Sequence, residues 1–285
     1  MGVEIRGLNV TIGGHAGPAR GGSGKAVVRD VDLTVGDGER VGLIGSSGSG
    51  KSMIAKSMLG LLPRGARATG SIGLGGTEVI GASDRTLADL RGRYVGVVFQ
   101  NPGTSLNPVS TVAKQVELPL RLHYDLTAFE RRDRVMAMLD KVGLAADMAG
   151  KYPHELSGGQ QQRVGIATAL ITSPRLIVAD EPTTALDSII QRQIVDLLVS
   201  LVDDAGASML FITHDFSVLA RATTRCYVID DGRVTEEGPT ADLLASPGTP
   251  VARELVGSAR RLTLSTVGLA HELSPAVPTG QGGAR

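Results

Sequence analysis

The residue types best suited to chemistry sit together at Gly45-Ser46-Ser47-Gly48-Ser49-Gly50-Lys51-Ser52, a run that fits G-x-x-x-x-G-K-[ST]. Its three glycines let the backbone curl round an anion with N–H groups pointing inward, where side chains would block the approach. Aliphatic Val41-Gly42-Leu43-Ile44 before the run reads as a strand, and Met53 to Leu59 after it reads as a helix. Such a helix offers its unpaired N–H groups and positive dipole end to the same anion. Lys51 adds a mobile cation for the β- and γ-phosphates of a nucleotide, and the Ser52 hydroxyl suits Mg²⁺. Gly21-Gly22-Ser23-Gly24-Lys25 looks similar but lacks the leading glycine, since residue 19 is Ala, and the hydroxyl, since residue 26 is Ala. It reads as a loop.

Two further clusters fit the same chemistry. Leu176 to Ala179 is apolar and runs into Asp180-Glu181, a buried strand delivering carboxylates at its C-terminal end, where open α/β sheets place ligands. Asp180 suits Mg²⁺ opposite Ser52, and Glu181 suits polarisation of a water attacking the γ-phosphate. Leu156-Ser157-Gly158-Gly159-Gln160-Gln161-Gln162-Arg163 opens another helix, with Ser157 as its N-cap and two glycines exposing backbone N–H groups. A chain binding one nucleotide needs only one anion site, so this helix start is either an ordinary N-cap with a glycine turn or an end that addresses a phosphate held by another molecule.

The elements that must position these groups follow from periodicity. Val3 to Ile12 and Val27 to Val35 alternate as half-buried strands, joined by a Gly-rich loop from Gly13 to Lys25, so an antiparallel patch precedes the phosphate loop. The helix after that loop runs to about Leu62-Pro63. Gly70 to Ile80 gives short strands with glycine turns, Thr86 to Leu90 a short helix, and Tyr94 to Gln100 a buried strand ending in a glutamine. From Asn101 to Gly159 strand signals vanish: Thr111 to His123 and Ala128 to Val142 have helical spacing, with Phe129, Val135, Met138, Leu139 and Val142 on one face and Arg131 to Arg134 on the solvated one. Strands resume at Leu176 to Asp180, at Ser208 to His214 and, last, near Tyr227 to Ile229, separated by helices over Ser188 to Val202 and through Ala222. Short apolar runs alternating with helices indicate a mainly parallel sheet covered on both faces.

Composition narrows the function classes. A chain of 285 residues, 42% hydrophobic and 20% charged, is an ordinary globular protein. Its 29 basic and 29 acidic residues cancel, so no global field steers it to nucleic acid or an acidic membrane surface. Aromatics at 3% with no Trp argue against a stacking platform for single strands. The single Cys226 excludes an internal disulfide and a cysteine-ligated cluster, and its apolar setting reads as a buried, inert thiol. No apolar run reaches the ~18 residues of a membrane span. A soluble protein is expected, one that serves a membrane through partners.

On these motifs the chain resembles the ATP-binding subunits of ABC transporters. The resemblance rests on the phosphate loop, Gln100 after a strand, Leu156-Ser157-Gly158-Gly159-Gln160, Asp180-Glu181, Thr184-Ala185-Leu186-Asp187 and His214, in the family's order over residues 45–214. Phe99-Gln100-Asn101-Pro102, Thr104 to Pro108, Leu61-Leu62-Pro63 and Tyr152 to Leu156 are similar to the peptide and nickel importers. The fold implied is α/β: a P-loop NTPase core of the ABC ATPase kind with a mainly parallel sheet, an antiparallel β subdomain and an α-helical insertion. Residues 1–98 and 164–256 would form the core with its β subdomain, 99–163 the helical signature subdomain, and 257–285 a poorly ordered tail. The resemblance further implies a head-to-tail dimer with a second ATPase subunit, identical or homologous. Ser157, Gly158, Gly159 and Gln160 of one chain would close on ATP held by Gly45 to Ser52 of the other. Glu181, His214 and Gln100 would be catalytic; Ser52, Gln100 and Asp180 would hold Mg²⁺; Asp187 would bridge the dimer. The implied function is ATP hydrolysis that energises an importer of peptides, nickel or a related small solute. Its partners would be transmembrane permease subunits and, indirectly, an extracytoplasmic substrate-binding protein, at the cytoplasmic face of the membrane and without nucleic acid.

Two departures stand out. The family stacks an aromatic residue on adenine just after the first strand, whereas Ile12 and His15 occupy that region here. Peptide-importing relatives often carry a C-terminal cysteine cluster, whereas this chain has Ser246-Pro247-Gly248-Thr249 and no such cysteines, closer to nickel-type subunits. The alternative is an ABC-type ATPase acting on nucleic acid or ribosomes. It would call for long heptads between the phosphate loop and the signature, or a basic stripe, and neither is present.

Overall fold

Alternating burial builds the first sheet. In β1 (Val3–Ile12) Val3, Ile5, Leu8 and Val10 point inward, and in β2 (Lys25–Val35) Val28, Val31, Leu33 and Val35 do the same. The computed structural model describes residues 2–13, 24–184 and 186–259. Residues 14–23, with His15 and Gly21 to Ser23, lie outside the described residues, as do Met1, Ala185 and 260–285. β3 (Arg40–Gly45) leads to α1 (Lys51–Met58), followed by β4 (Ala66–Leu74), β5 (Thr77–Glu78) and α2 (Asp84–Leu90). α1 stops well before Leu62-Pro63. Gly60 takes the left-handed conformation, and the Leu61 N–H donates back to the Lys56 carbonyl, so glycine rather than proline ends the helix. The order β2-β1-β4-β5 makes an antiparallel four-stranded sheet.

The helical stretch begins after β6 (Val95–Val98), which ends two residues before Gln100 and leaves Phe99 48% exposed. It comprises α3 (Pro102–Ser105), α4 (Val112–His123), α5 (Ala128–Lys141), two 3₁₀ turns and α6 (Gly158–Leu170). On α5, Val135 and Leu139 are buried, as is Val142 just beyond it, but Phe129 is 73% exposed. Six residues separate Phe129 from Val135, which swings it about 120° away round the helix.

β7 (Leu176–Asp180), α7 (Ser188–Asp204), β8 (Ser208–Thr213), α8 (Phe216–Ala222) and β9 (Arg225–Asp230) complete the expected series. The chain then adds β10 (Arg233–Pro239), α9 (Thr240–Ala245) and a helix over residues 250–259, here α10. So Tyr227 to Ile229 is not the last strand, and helix continues past 256, where a poorly ordered tail was expected to begin. β10 escaped notice because it is a polar edge strand ending in proline.

The second sheet runs β10-β9-β3-β8-β7-β6, parallel except for the β9–β10 hairpin. Its inner strands are buried on both faces. Ile177, Ala179, Met209 and Phe211 join one apolar cluster with α4 to α8, while Leu176, Val178, Leu210 and Ile212 join another with α1 and the antiparallel sheet. Parallel pairing brings the carboxyl ends of β3, β7 and β8 to one edge, which places the chemistry.

Candidate functional site

The phosphate loop follows β3 and is held by backbone rather than by side-chain packing. Gly48 and Gly50 adopt left-handed angles of 82° and 107°. A Cβ on Gly45 would lie 2.2 Å from the Ile229 carbonyl oxygen, and one on Gly50 would lie 2.6 Å from that of Val27. Gly50 is the N-cap of α1, with no side chain capping it and no acidic residue in the first turn. The positive end of this helix therefore faces the loop without a competing carboxylate of its own.

Lys51 is buried, and its Nζ donates to the carbonyls of Gly45 and Ser46, each at 2.8 Å. Burial holds its pKa below the usual lysine value, opposed by the charges of Glu181 and Asp180. The Ser52 hydroxyl donates to Asp180 Oδ1 at 3.2 Å. Burial pushes the Asp180 carboxyl above the usual range; the Ser52 hydrogen bond lowers it and neighbouring Glu181 adds to the rise. A hydroxyl and a carboxylate that face each other across this gap are a hard, all-oxygen donor pair that fits Mg²⁺.

Glu181 is the centre of the arrangement. Its Oε2 accepts from Gln100 Nε2 at 3.0 Å and from Thr184 Oγ1 at 3.0 Å, and lies 3.4 Å from His214 Nδ1. Its backbone is left-handed, with φ of 47°, a strained setting for a residue with a side chain, while its N–H still donates to Ile212 at 2.9 Å. The bend takes the chain off the end of β7 and turns the carboxylate back toward the edge where β3 and β8 end. Gln100, just past β6, and His214, just past β8, reach the same oxygen from two other strand ends. Thr184 belonged to the 184–187 run in the sequence; its contact with Glu181 depends on a turn whose angle the sequence does not announce.

A cleft of about 700 Å³ opens over these groups, lined by the phosphate loop, Gln100, Glu181, Thr184 and His214. Val27, Met53, Leu255 and Ser258 also line it, and none of them stood out in the sequence as a site residue.

Ser157, Gly158, Gly159 and Gln160 do not line their own chain's cleft. Ser157 Oγ accepts from the Gln160 N–H, and Gln160 Oε1 accepts from the Ser157 N–H, a reciprocal cap that starts α6. A Cβ on Gly159 would lie 3.0 Å from Ile190 of α7, so the two helix starts pack closely. Asp187 caps α7, its Oδ1 accepting from the N–H groups of Ile189 and Ile190. Ser157 and Gly158 are exposed. The geometry thus gathers the phosphate loop, Asp180, Glu181, Gln100 and His214, and leaves 157–160 and Asp187 outside.

Known proteins resemble this chain over most of its length. Residues 28–184 match the family described as ABC transporter. An ATP-binding protein of Brucella ovis, whose given name is provisional and refers to peptide import, is 44% identical over 244 residues, covering 82% of this chain and 72% of that protein. The oligopeptide transport ATP-binding protein OppD of Mycobacterium tuberculosis is 40% identical over 263 residues, 91% of this chain and 42% of that protein. The dimeric ATP-binding cassette MJ0796, in a post-hydrolysis state with ADP and Pi, superposes with a TM-score of 0.73 at 32% identity, covering 84% of this chain and 98% of that one.

Proposed function

The chain belongs to the ABC transporter family of ATP-binding subunits, and from that premise we propose that it hydrolyses ATP to drive peptide import through permease subunits. The observation that carries the catalytic part is the convergence on Glu181 Oε2 of donors from three segments, beside the Ser52–Asp180 pair and Lys51. Lys51 exchanges its two carbonyl acceptors for phosphate oxygens, and the α1 N-terminus binds the β-phosphate. Ser52 and Asp180, with Gln100, would hold Mg²⁺, which would supply positive charge to offset that of the triphosphate. Glu181 orients a water for attack on the γ-phosphorus as the bond to the ADP oxygen breaks, and His214 keeps the γ-phosphate in line. Ser157 to Gln160 reach the same phosphate from a second subunit, identical or homologous, with Asp187 at that seam.

The names of the relatives support peptides as the transported class. Neither name refers to nucleic acid or ribosomes, so nothing in them favours that alternative. The transporter role places the chain at the cytoplasmic face of the membrane, held there by its permease; no described helix is long and apolar enough to cross a membrane. An extracytoplasmic binding protein would deliver the peptide. Within the chain, we divide residues 1–98 and 164–256 as the ATPase core from 99–163 as the helical subdomain.

Glu181→Gln tests the central assignment. Phosphate release should fall by about 10²–10⁴-fold, while ATP still drives dimerisation in size-exclusion chromatography. Near-normal release would remove Glu181 from the role of base.

A further inference from the structure

The C-terminal helix α10 is placed with more care than a trailing segment needs. On β10, Glu236 Oε1 accepts from the Gly248 N–H at 2.7 Å, and its Oε2 accepts from the Thr249 N–H at 2.9 Å and the Thr249 hydroxyl at 2.8 Å. The Thr249 hydroxyl in turn accepts from the Ala252 N–H at 3.2 Å, capping the helix start. Arg253 reaches back to the Gly248 carbonyl at 2.8 Å. Along the helix, Ala252, Val256 and Ala259 are buried and join the apolar cluster that contains Phe216 and Val228. That stripe at helical spacing fixes the rotation of α10, and the adjacent stripe, Leu255 and Ser258, lines the phosphate-loop cleft.

Most of the residues that line the cleft carry polar groups: the loop hydroxyls, Lys51, Gln100, Glu181, Thr184 and His214. These groups suit a triphosphate and its metal. Val27, Met53 and Leu255 are the apolar exceptions. Met53 follows Ser52 on α1, at the phosphate end. Val27 lies on β2, its carbonyl against Gly50, and Leu255 comes from a separate part of the chain. A purine needs an apolar plate, and the described residues offer aliphatic side chains rather than an aromatic ring here.

We propose that Leu255 of α10, with Val27 of β2, forms the wall against which the nucleotide base packs, so that the C-terminal helix is part of the ATP site. This rests on the reading of the cleft as an ATP site and adds to it which residues select a nucleoside over bare phosphate. Aliphatic contact of this kind recognises the base by burial of its faces rather than by stacking on a ring.

The chain has no Trp, so Leu255→Trp places a single indole at this wall. ATP should quench or shift its emission, and inorganic tripolyphosphate should not. Leu255→Ser and Val27→Ser should each weaken ATP binding about tenfold by calorimetry and leave tripolyphosphate affinity unchanged, with circular dichroism confirming the fold. Indole emission that does not move at saturating ATP overturns the proposal, as does equal loss for both ligands in the serine variants or tighter ATP binding in Leu255→Ser. If the unmutated chain binds neither ligand, the ATP site itself is misread. If it binds both and only the indole stays silent, the base lies elsewhere.

Discussion

At the scale of single residues, one carboxylate oxygen does most of the organising. Glu181 Oε2 gathers Gln100, Thr184 and His214, so a change in any of the three alters the direction in which this carboxylate points. Thr184→Val keeps the shape and removes the hydroxyl. Turnover should fall about tenfold while the Michaelis constant for ATP stays near its original value, which steady-state kinetics separates directly. Loss of affinity instead would make Thr184 a binding group. Lys51, Ser52, Asp180 and Glu181 were legible because loop spacing and a strand ending in acid dictate them. The Thr184 contact was not, because it exists only through the left-handed turn at Glu181. Cys226 was also read rightly as a buried thiol. Burial pushes it up to about 11 from an ordinary 9.0, so the folded state holds this proton more firmly than the unfolded chain does. Its contribution to stability is therefore present below pH 9 and lost as pH climbs through 9 to about 11. As the sole cysteine, it should resist a thiol reagent at pH 8 until denaturant is added, and rapid labelling of the native protein would contradict its burial.

At the scale of elements, the β9–β10 hairpin braces the phosphate loop. Its turn, Asp231-Gly232, has φ of 40° and 76°, the handedness that suits tight hairpins. The Gly232 N–H donates to the Ser49 carbonyl at 3.0 Å, its carbonyl accepts from the Arg29 N–H at 2.8 Å, and Asp231 pairs with Arg29 at 2.8 Å. A Cβ on Gly232 would fall 2.7 Å from the Val27 carbonyl oxygen. Gly232→Val should destabilise the fold by about 2 kcal/mol and also weaken ATP binding, seen as a lower melting temperature and a higher dissociation constant. Lost stability with unchanged affinity would detach the hairpin from the loop. Strongly periodic elements such as β1, α4 and α5 were readable from their patterns, and the signature helix from its N-cap. What failed were edges and ends. β10 is half charged and faces solvent, α1 is cut short by Gly60, and α10 owes its position to Glu236, a residue many positions away from it.

At the scale of the molecule, a central sheet separates two apolar clusters and presents its carboxyl edge to the cleft, while residues 157–160 lie outside the lining of that cleft. One copy alone has half of each proposed site. With Glu181→Gln as background, Ser157→Cys in one copy and Ser47→Cys in another should form an intermolecular disulfide only when ATP is present, since Cys226 is buried and does not compete. Crosslinking that ignores ATP, or never occurs, would rule out the head-to-tail arrangement. The position of Lys51 bears on how that closure begins. Its ammonium rests on two peptide oxygens in a buried setting, so it surrendered its hydration when the polypeptide folded. An arriving phosphate thus competes with two dipoles instead of a water shell, and capture becomes an exchange of acceptors rather than a drying step.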